Sequence, residues 1–287
     1  MQWLVVVTII WAFSFSLIGE VLAGKVDGYI AVAIRMLLAL LLFTPWLLRH
    51  RVASVVALKL MLIGAIQIGV MYLLFYHSFL FLSVTEVLLF TILTPVYVSI
   101  IDDLMYTRQF HLRWLAPAII AVIGAAVIRY QSVREDFWIG LLLVQGANMC
   151  FAFGQVAYKR LLIPATTPQL RVFGYFFLGA AIVTTLSAAL LADFAKLPQT
   201  LTQWATLLWL GLGASGLGYF LWNYGSRLVN TGQLATMNNA LIPAGILVNL
   251  VLWQRQVDWL MLTIGSVIIL LSVLLSTRSE AKAYTKR

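Results

Sequence analysis

The chain is short of charge, of acids and of sulfur. Charged residues are 10% of its 287 positions, where a soluble domain carries about 25%. No stretch between its apolar runs is long or polar enough for a water-soluble domain. The single cysteine, Cys150, excludes an internal disulfide and reads as a small buried residue within an apolar run. Three histidines and no H-E-x-x-H pattern leave no zinc motif, and there is no Walker loop or glycine-rich dinucleotide loop. No cofactor is expected, nor ATP-driven work by this chain alone. One enzyme-like motif is present: Gly213-Ala214-Ser215-Gly216 matches the G-x-S-G of rhomboid-type intramembrane proteases. A serine hydroxyl is a weak nucleophile without a base, and no histidine follows Ser215. Small residues that let helices approach closely explain the motif better, and the chain is not expected to be an enzyme.

What the chain has is apolar length. Hydrophobic residues make up 62% of it, and a run of about 20 spans the ~30 Å hydrocarbon core as a helix. The runs give ten spans: Trp3–Leu22, Ile30–Leu48, Leu60–Phe79, Val84–Ile101, Trp114–Ile128, Phe137–Tyr158, Val172–Leu191, Trp204–Tyr224, Gly232–Trp253 and Trp259–Leu275. Helices are expected because backbone groups facing lipid must be satisfied within their own segment. The runs do not alternate apolar and polar residues as barrel strands do. Val21-Leu22-Ala23 resembles a signal-peptidase site, but no basic segment precedes the first run. It reads as a retained first helix. The fold class expected is an all-α polytopic membrane protein whose first partner is the bilayer.

The net charge of +9 raises the question of nucleic acid, but its distribution answers otherwise. With an even span count both termini share one side. That side holds 13 cations, Arg49, Arg51, Lys159, Arg160 and Arg227 among them; the opposite loops hold 5, and Arg35 lies within a span. By the positive-inside rule both termini are cytoplasmic, and no nucleic-acid partner is needed to explain the charge.

An internal repeat is also visible. Tyr76-His77-Ser78 precedes Pro95 as Tyr224-Gly225-Ser226 precedes Pro243, at an offset of 148 residues, and Phe13-Ser14-Phe15 is echoed by Phe151-Ala152-Phe153. Five spans per half force opposite orientations, and inverted repeats place a transported substrate near the midplane. The boundaries expected are 1–131, 132–277 and a short basic tail, 278–287.

Ionisable groups within spans are costly and default to function. Glu20 closes the first run, and Arg35 lies roughly 9 Å into the second at 1.5 Å per residue. Two readings stay open for them: a structural ion pair, or Arg35 as the fork that binds a substrate carboxylate with Glu20 beside it. Glu86 opens the fourth helix, where a proton carrier and a helix cap are equally natural. His77 reads as an interfacial residue. Asn148, Asn223, Asn238 and Asn239 offer amides, either to a polar head group or to neighbouring helices. Pro95 and Pro243 permit bends. Trp11, Phe15, Phe75, Phe90, Trp222 and Tyr224 either line an apolar path or pack helices.

The motifs carry a resemblance over the whole chain. They include Trp11-Ala12-Phe13-Ser14-Phe15-Ser16, Gly19-Glu20, Leu22-Ala23-Gly24, Leu88-Leu89-Phe90-Thr91, Leu93-Thr94-Pro95, Ile128-Arg129-Tyr130 and Tyr158-Lys159-Arg160-Leu161. In the second half they are Gly218-Tyr219-Phe220, Trp222-Asn223-Tyr224-Gly225, Met237-Asn238-Asn239 and Pro243-Ala244-Gly245. The chain resembles the drug/metabolite transporter superfamily of the EamA type, in its carboxylate/amino acid/amine branch, and within that the bacterial biotin importers. The resemblance implies ten helices in two inverted five-helix repeats and biotin uptake across the inner membrane by alternating access. The residues allow this: Arg35 can take the carboxylate, the aromatics the tail and rings, and Asn148, Asn238 or Asn239 the ureido group. Separately, because the cell interior opposes entry of an anion, Glu20 or Glu86 is a candidate carrier of a coupled proton. An amino-acid or drug exporter of the same superfamily is the alternative. A non-transporting intramembrane enzyme or structural partner would need a catalytic constellation or large exposed domain, and neither is visible.

Overall fold

The structure, a computed structural model, describes residues 1–49, 51–107, 136–163, 167–229 and 231–254, with positions 260, 263, 264, 267 and 271. All of the regular structure among the described residues is helical. The long helices are α1 (Gln2–Leu22), α2 (Gly28–Arg49), α3 (Ser54–Ser78), α4 (Val84–Tyr106), α5 (Phe137–Arg160), α6 (Gln169–Leu191), α7 (Leu201–Ser226) and α8 (Thr231–Trp253). The first seven are long and apolar enough to cross a membrane, and Met237–Trp253 of α8 is a shorter apolar segment. Eight expected spans thus coincide with helices. The fifth lies outside the described residues, as do the basic tail, the Ile128-Arg129-Tyr130 motif and most of the tenth span. The third helix begins six residues before the expected Leu60, because Lys59 is exposed at its end and a lysine stem lies comfortably along apolar surface.

Leu41, Leu142, Leu190 and many other large apolar side chains point outward. In water such a surface drives association; against lipid tails it is the ordinary solution. Burying leucine earns little inside a bilayer, so close packing of small residues holds the helices together. α6 illustrates this: a Cβ on Gly64 of α3 would meet the Phe176 carbonyl, and one on Gly179 would meet the Met61 carbonyl. The principal helix contacts are α2 with α6 and α7, α3 with α5 and α6, α1 with α7 and α8, and α4 with α5.

Four helices widen locally into π-helical turns among the described residues: Ile18–Leu22 ends α1, Ala65–Val70 interrupts α3, Asp103–Thr107 ends α4 and Trp209–Leu217 interrupts α7. Such turns loosen the backbone ladder and tend to sit at functional places. In α7 the Ala214 carbonyl accepts a bond from Trp11 Nε1 at 2.9 Å. Cys150 is half-buried rather than fully enclosed.

Candidate functional site

A cavity of about 650 Å³, counted with its mouth, lies among α1, α3, α4, α5, α7 and α8. A concave, largely apolar wall with a few convergent polar groups is the usual form of a small-molecule site. Its wall is aromatic. Trp11 lies 4.9 Å from both Tyr219 and Trp222, centroid to centroid, while Phe15 meets Phe75 edge-on at 5.1 Å. The Ala214 bond fixes the Trp11 ring, so this face is preset. Asn148 and Asn238 are the amides on the wall, and Ser14, Tyr72, Thr91, Thr94 and Tyr219 supply hydroxyls. Among the described lining residues there is no carboxylate, lysine, arginine or histidine.

Arg35 lies one layer behind this wall, fully buried. Its Nε and Nη2 donate to Ser215 Oγ at 3.1 and 2.9 Å, Nη1 to Tyr76 Oη at 2.8 Å and Nη2 to Tyr72 Oη at 2.8 Å. The guanidinium also lies over the Tyr72 ring, 4.2 Å from its centroid. A phenol that accepts from a guanidinium keeps its own O–H to donate. Tyr72, which lines the cavity, therefore relays the polarity of Arg35 to the site. The sequence suggested Glu20 as the partner of Arg35, and the structure corrects this: the guanidinium bonds hydroxyls. Glu20 sits in the wide closing turn of α1, where its carbonyl accepts from Lys25 Nζ, whereas Arg35 lies about two turns deeper along α2.

Glu86 forms a helix cap. Ser83 N donates to Glu86 Oε2 at 2.8 Å and Glu86 N donates to Ser83 Oγ at 3.3 Å, the reciprocal arrangement that satisfies a helix N-terminus. Neither Glu20 nor Glu86 lines the cavity. His77 Nδ1 lies 2.6 Å from the Leu73 carbonyl, with its ring against Tyr29.

Asn148 has two tasks. It lines the cavity, and its Nδ2 donates to the Phe90 carbonyl at 2.8 Å. That carbonyl also accepts from Gln145 Nε2 at 3.3 Å, at the point where α4 tightens over Thr91–Leu93, just ahead of Pro95. Proline has no N–H to return to the residue four before it, and here Thr94 Oγ1 donates to the Thr91 carbonyl instead, at 2.6 Å. Phe90 thus contributes a backbone acceptor, while its ring packs on Phe137 away from the cavity. Asn238 Nδ2 donates to Gln155 Oε1 at 3.3 Å, and Trp222 Nε1 reaches the same oxygen at 3.1 Å. Asn239, Asn223 and Tyr224 do not line the cavity. Both amide atoms of Asn239 are buried without a partner. Asn223 Oδ1 accepts from Gln67 Nε2 at 3.2 Å, and Tyr224 stacks on Phe220. Pro243 sits inside α8 with its surface exposed.

The cavity therefore gathers Trp11, Phe15, Phe75, Asn148, Trp222 and Asn238 from the residues the sequence singled out. Sequence reasoning passed over Tyr72 and Gln155, and it named Tyr76, Ser215 and Tyr219 within motifs without giving them a place in the site. A signal existed for Tyr72 and Tyr76: four residues apart, they share one helix face, on a helix that pairs with the one carrying Arg35.

Comparison with known proteins agrees with this architecture. The model of the EamA-like transporter family matches residues 1–130 and 138–278. The biotin transporter of Salmonella typhimurium is 49% identical over 274 residues, covering 95% of this chain and 91% of the relative. The biotin transporter of Escherichia coli K12 is 48% identical over the same shares. A probable biotin transporter of Pseudomonas aeruginosa is 47% identical over 275 residues, 95% and 96% of the two chains. A solved crystal structure only 15% identical aligns with a TM-score of 0.67 over 97% of both chains, a likeness of fold. On the match of both halves to one family model, the chain belongs to the EamA-like transporter family.

Proposed function

We propose that this protein imports biotin across the bacterial inner membrane, as a multi-pass protein with both termini in the cytoplasm. The observation that carries the reading is 49% identity over 95% of the chain to a protein named a biotin transporter. The cavity is consistent with it. Biotin joins a carboxylate to an apolar tail and a fused ureido ring. Trp11, Phe15 and Trp222 offer faces for the tail and rings. The Nδ2 groups of Asn148 and Asn238 already donate twice within the protein, so these residues offer their Oδ1 oxygens to the ureido N–H groups. The carboxylate would meet the hydroxyls of Tyr72 and Tyr219, with the charge of Arg35 behind them.

Alternating access between two inverted repeats, 1–131 and 132–277 within a ten-helix bundle, is part of the same proposal. The packing supports it. Exchanging α1 with α5, α2 with α6, α3 with α7 and α4 with α8 turns each principal contact into another: α3–α6 into α2–α7, α4–α5 into α1–α8, and α3–α5 into α1–α7. The wide turns of α3 and α7 and the prolines of α4 and α8 exchange in the same way.

Cells expressing the protein should accumulate labelled biotin faster than vector controls, with unlabelled biotin competing. Equal rates at good membrane expression would overturn the reading. A C-terminal fluorescent reporter should be bright and a C-terminal phosphatase reporter silent; the reverse pattern would overturn the orientation.

A further inference from the structure

A second, smaller cavity of about 300 Å³ lies in series with the first. The order of residues along three helices shows it. On α4 the large cavity takes Thr91 and Thr94, and the small one Val98 and Asp102. On α5 Asn148 and Phe151 are followed by Gln155, Val156, Lys159 and Arg160, and on α8 Asn238 by Leu234. At 1.5 Å per residue, Asn148 and Arg160 are roughly 18 Å apart along the helix axis. Gln155 divides the two spaces. It lines the small cavity, is fully buried, and accepts through Oε1 from Trp222 and Asn238, which line the large one.

At its far end the small cavity meets a fork-on-fork ion pair between the closing turns of α5 and α4. Arg160 Nε donates to Asp102 Oδ1 at 3.0 Å and Nη2 to Oδ2 at 2.8 Å, with the Tyr106 ring 5.0 Å from the guanidinium. The two side chains are 46% and 25% exposed. An ion pair this exposed adds little to stability, yet its bidentate geometry is specific. It can hold two helix ends together and still part readily.

We propose that the small cavity is the inner half of the transport path, closed by the Asp102–Arg160 pair as a gate, with Gln155 as the partition that must yield between the halves. The proposal rests on the biotin-import reading for the substrate, an amphipathic carboxylate. When the pair opens, the guanidinium of Arg160 exchanges one carboxylate, that of Asp102, for another, that of the substrate, before release into the cytoplasm. Lys159, whose Nζ donates to the Val229 carbonyl at 3.1 Å, lines the same space and adds a second positive charge.

The test uses the full-length protein with Cys150→Ser and Val156→Cys, because Val156 lines the small cavity and is buried. A membrane-impermeant methanethiosulfonate reagent is applied to vesicles of each orientation. With the pair intact, modification should be slow. Asp102→Asn should raise the rate about twofold to fivefold, the change expected from losing an exposed pair, and only from the face where α4 and α5 end. Asp102→Glu, which keeps the charge, should keep the slow rate and serves as the folding control. An unchanged rate in a monodisperse Asp102→Asn protein, or modification from the opposite face, would overturn the gate. Labelled biotin is titrated into the same preparations. Binding without dependence on Asp102 would sink the gate alone; dependence on Asp102 without binding would sink the biotin reading alone.

Discussion

A buried guanidinium held by three hydroxyls must lose energy when any of those partners is changed. Arg35 bonds Ser215 twice and Tyr72 and Tyr76 once each. A lysine presents a single point of charge, which cannot span three partners on two helices. Hydrogen bonds to charged groups contribute about 1.5–3 kcal/mol each. Arg35→Lys should therefore lower biotin affinity by roughly 10- to 150-fold, with Tyr72 displaced from the wall; titration of labelled biotin measures it, and native affinity would remove Arg35 from the site. The amides separate in the same assay. Asn148→Ala removes the shorter of two side-chain donors to the Phe90 carbonyl, which costs about 0.5–1.5 kcal/mol. Asn239 bonds nothing with either buried amide atom and does not line the cavity, so Asn239→Ala, which removes no hydrogen bond, should leave affinity within about twofold. If Asn239→Ala proves the more damaging, the ureido reader has been misassigned.

Glycines set the distance between helices where side-chain bulk would otherwise set it. Gly64 and Gly179 abut backbone carbonyls of the facing helix, which cannot swing aside, whereas a Cβ at Gly213 would meet the Trp209 side chain at 3.3 Å. Gly64→Ala and Gly179→Ala should each lower the melting temperature in detergent, at a cost of about 1–3 kcal/mol or more for overpacking, while Gly213→Ala should change it little. Equal shifts would mean that α3 and α6 can part without penalty. This scale also shows where sequence was informative. Hydropathy fixes helices because length and apolarity are local properties, and so the bounds of α1, α2, α6 and α8 fell within a few residues of the expected spans. The offset between Pro95 and Pro243 was legible for the same reason. The pairing of Arg35 with Ser215 was not, because 180 residues separate them and only the crossing of α2 with α7 brings them together. Glu20 looked closer to Arg35 in sequence, and a helix turn two rungs deep put it out of reach. Asn223 and Tyr224 carried polar groups that fit a site, but their helix face turns toward Gln67 and Phe220 instead.

For the whole molecule the question is what drives an anion into a negative compartment. A carboxylate of ordinary pKa is fully ionised at pH 7, and each 100 mV opposes entry of one negative charge by about 2.3 kcal/mol. Proton symport would cancel that term, and it needs an acid or histidine in contact with the path. The described lining of the large cavity has none, the small cavity's one described acid, Asp102, is engaged by Arg160, and Glu86 caps α4 through Ser83. Arg35 stays within the protein and moves no charge across. Each import event should then carry one net negative charge inward, drawn by consumption of biotin in the cytoplasm. Proteoliposomes separate the two cases. With a potassium diffusion potential set positive inside, initial biotin uptake should rise, and with the potential reversed it should fall. A pH gradient imposed at zero potential should leave it unchanged, and Glu86→Gln should alter stability without altering the response to potential. Uptake that follows the pH gradient at zero potential would sink electrogenic import and give a carboxylate the further task of carrying a proton.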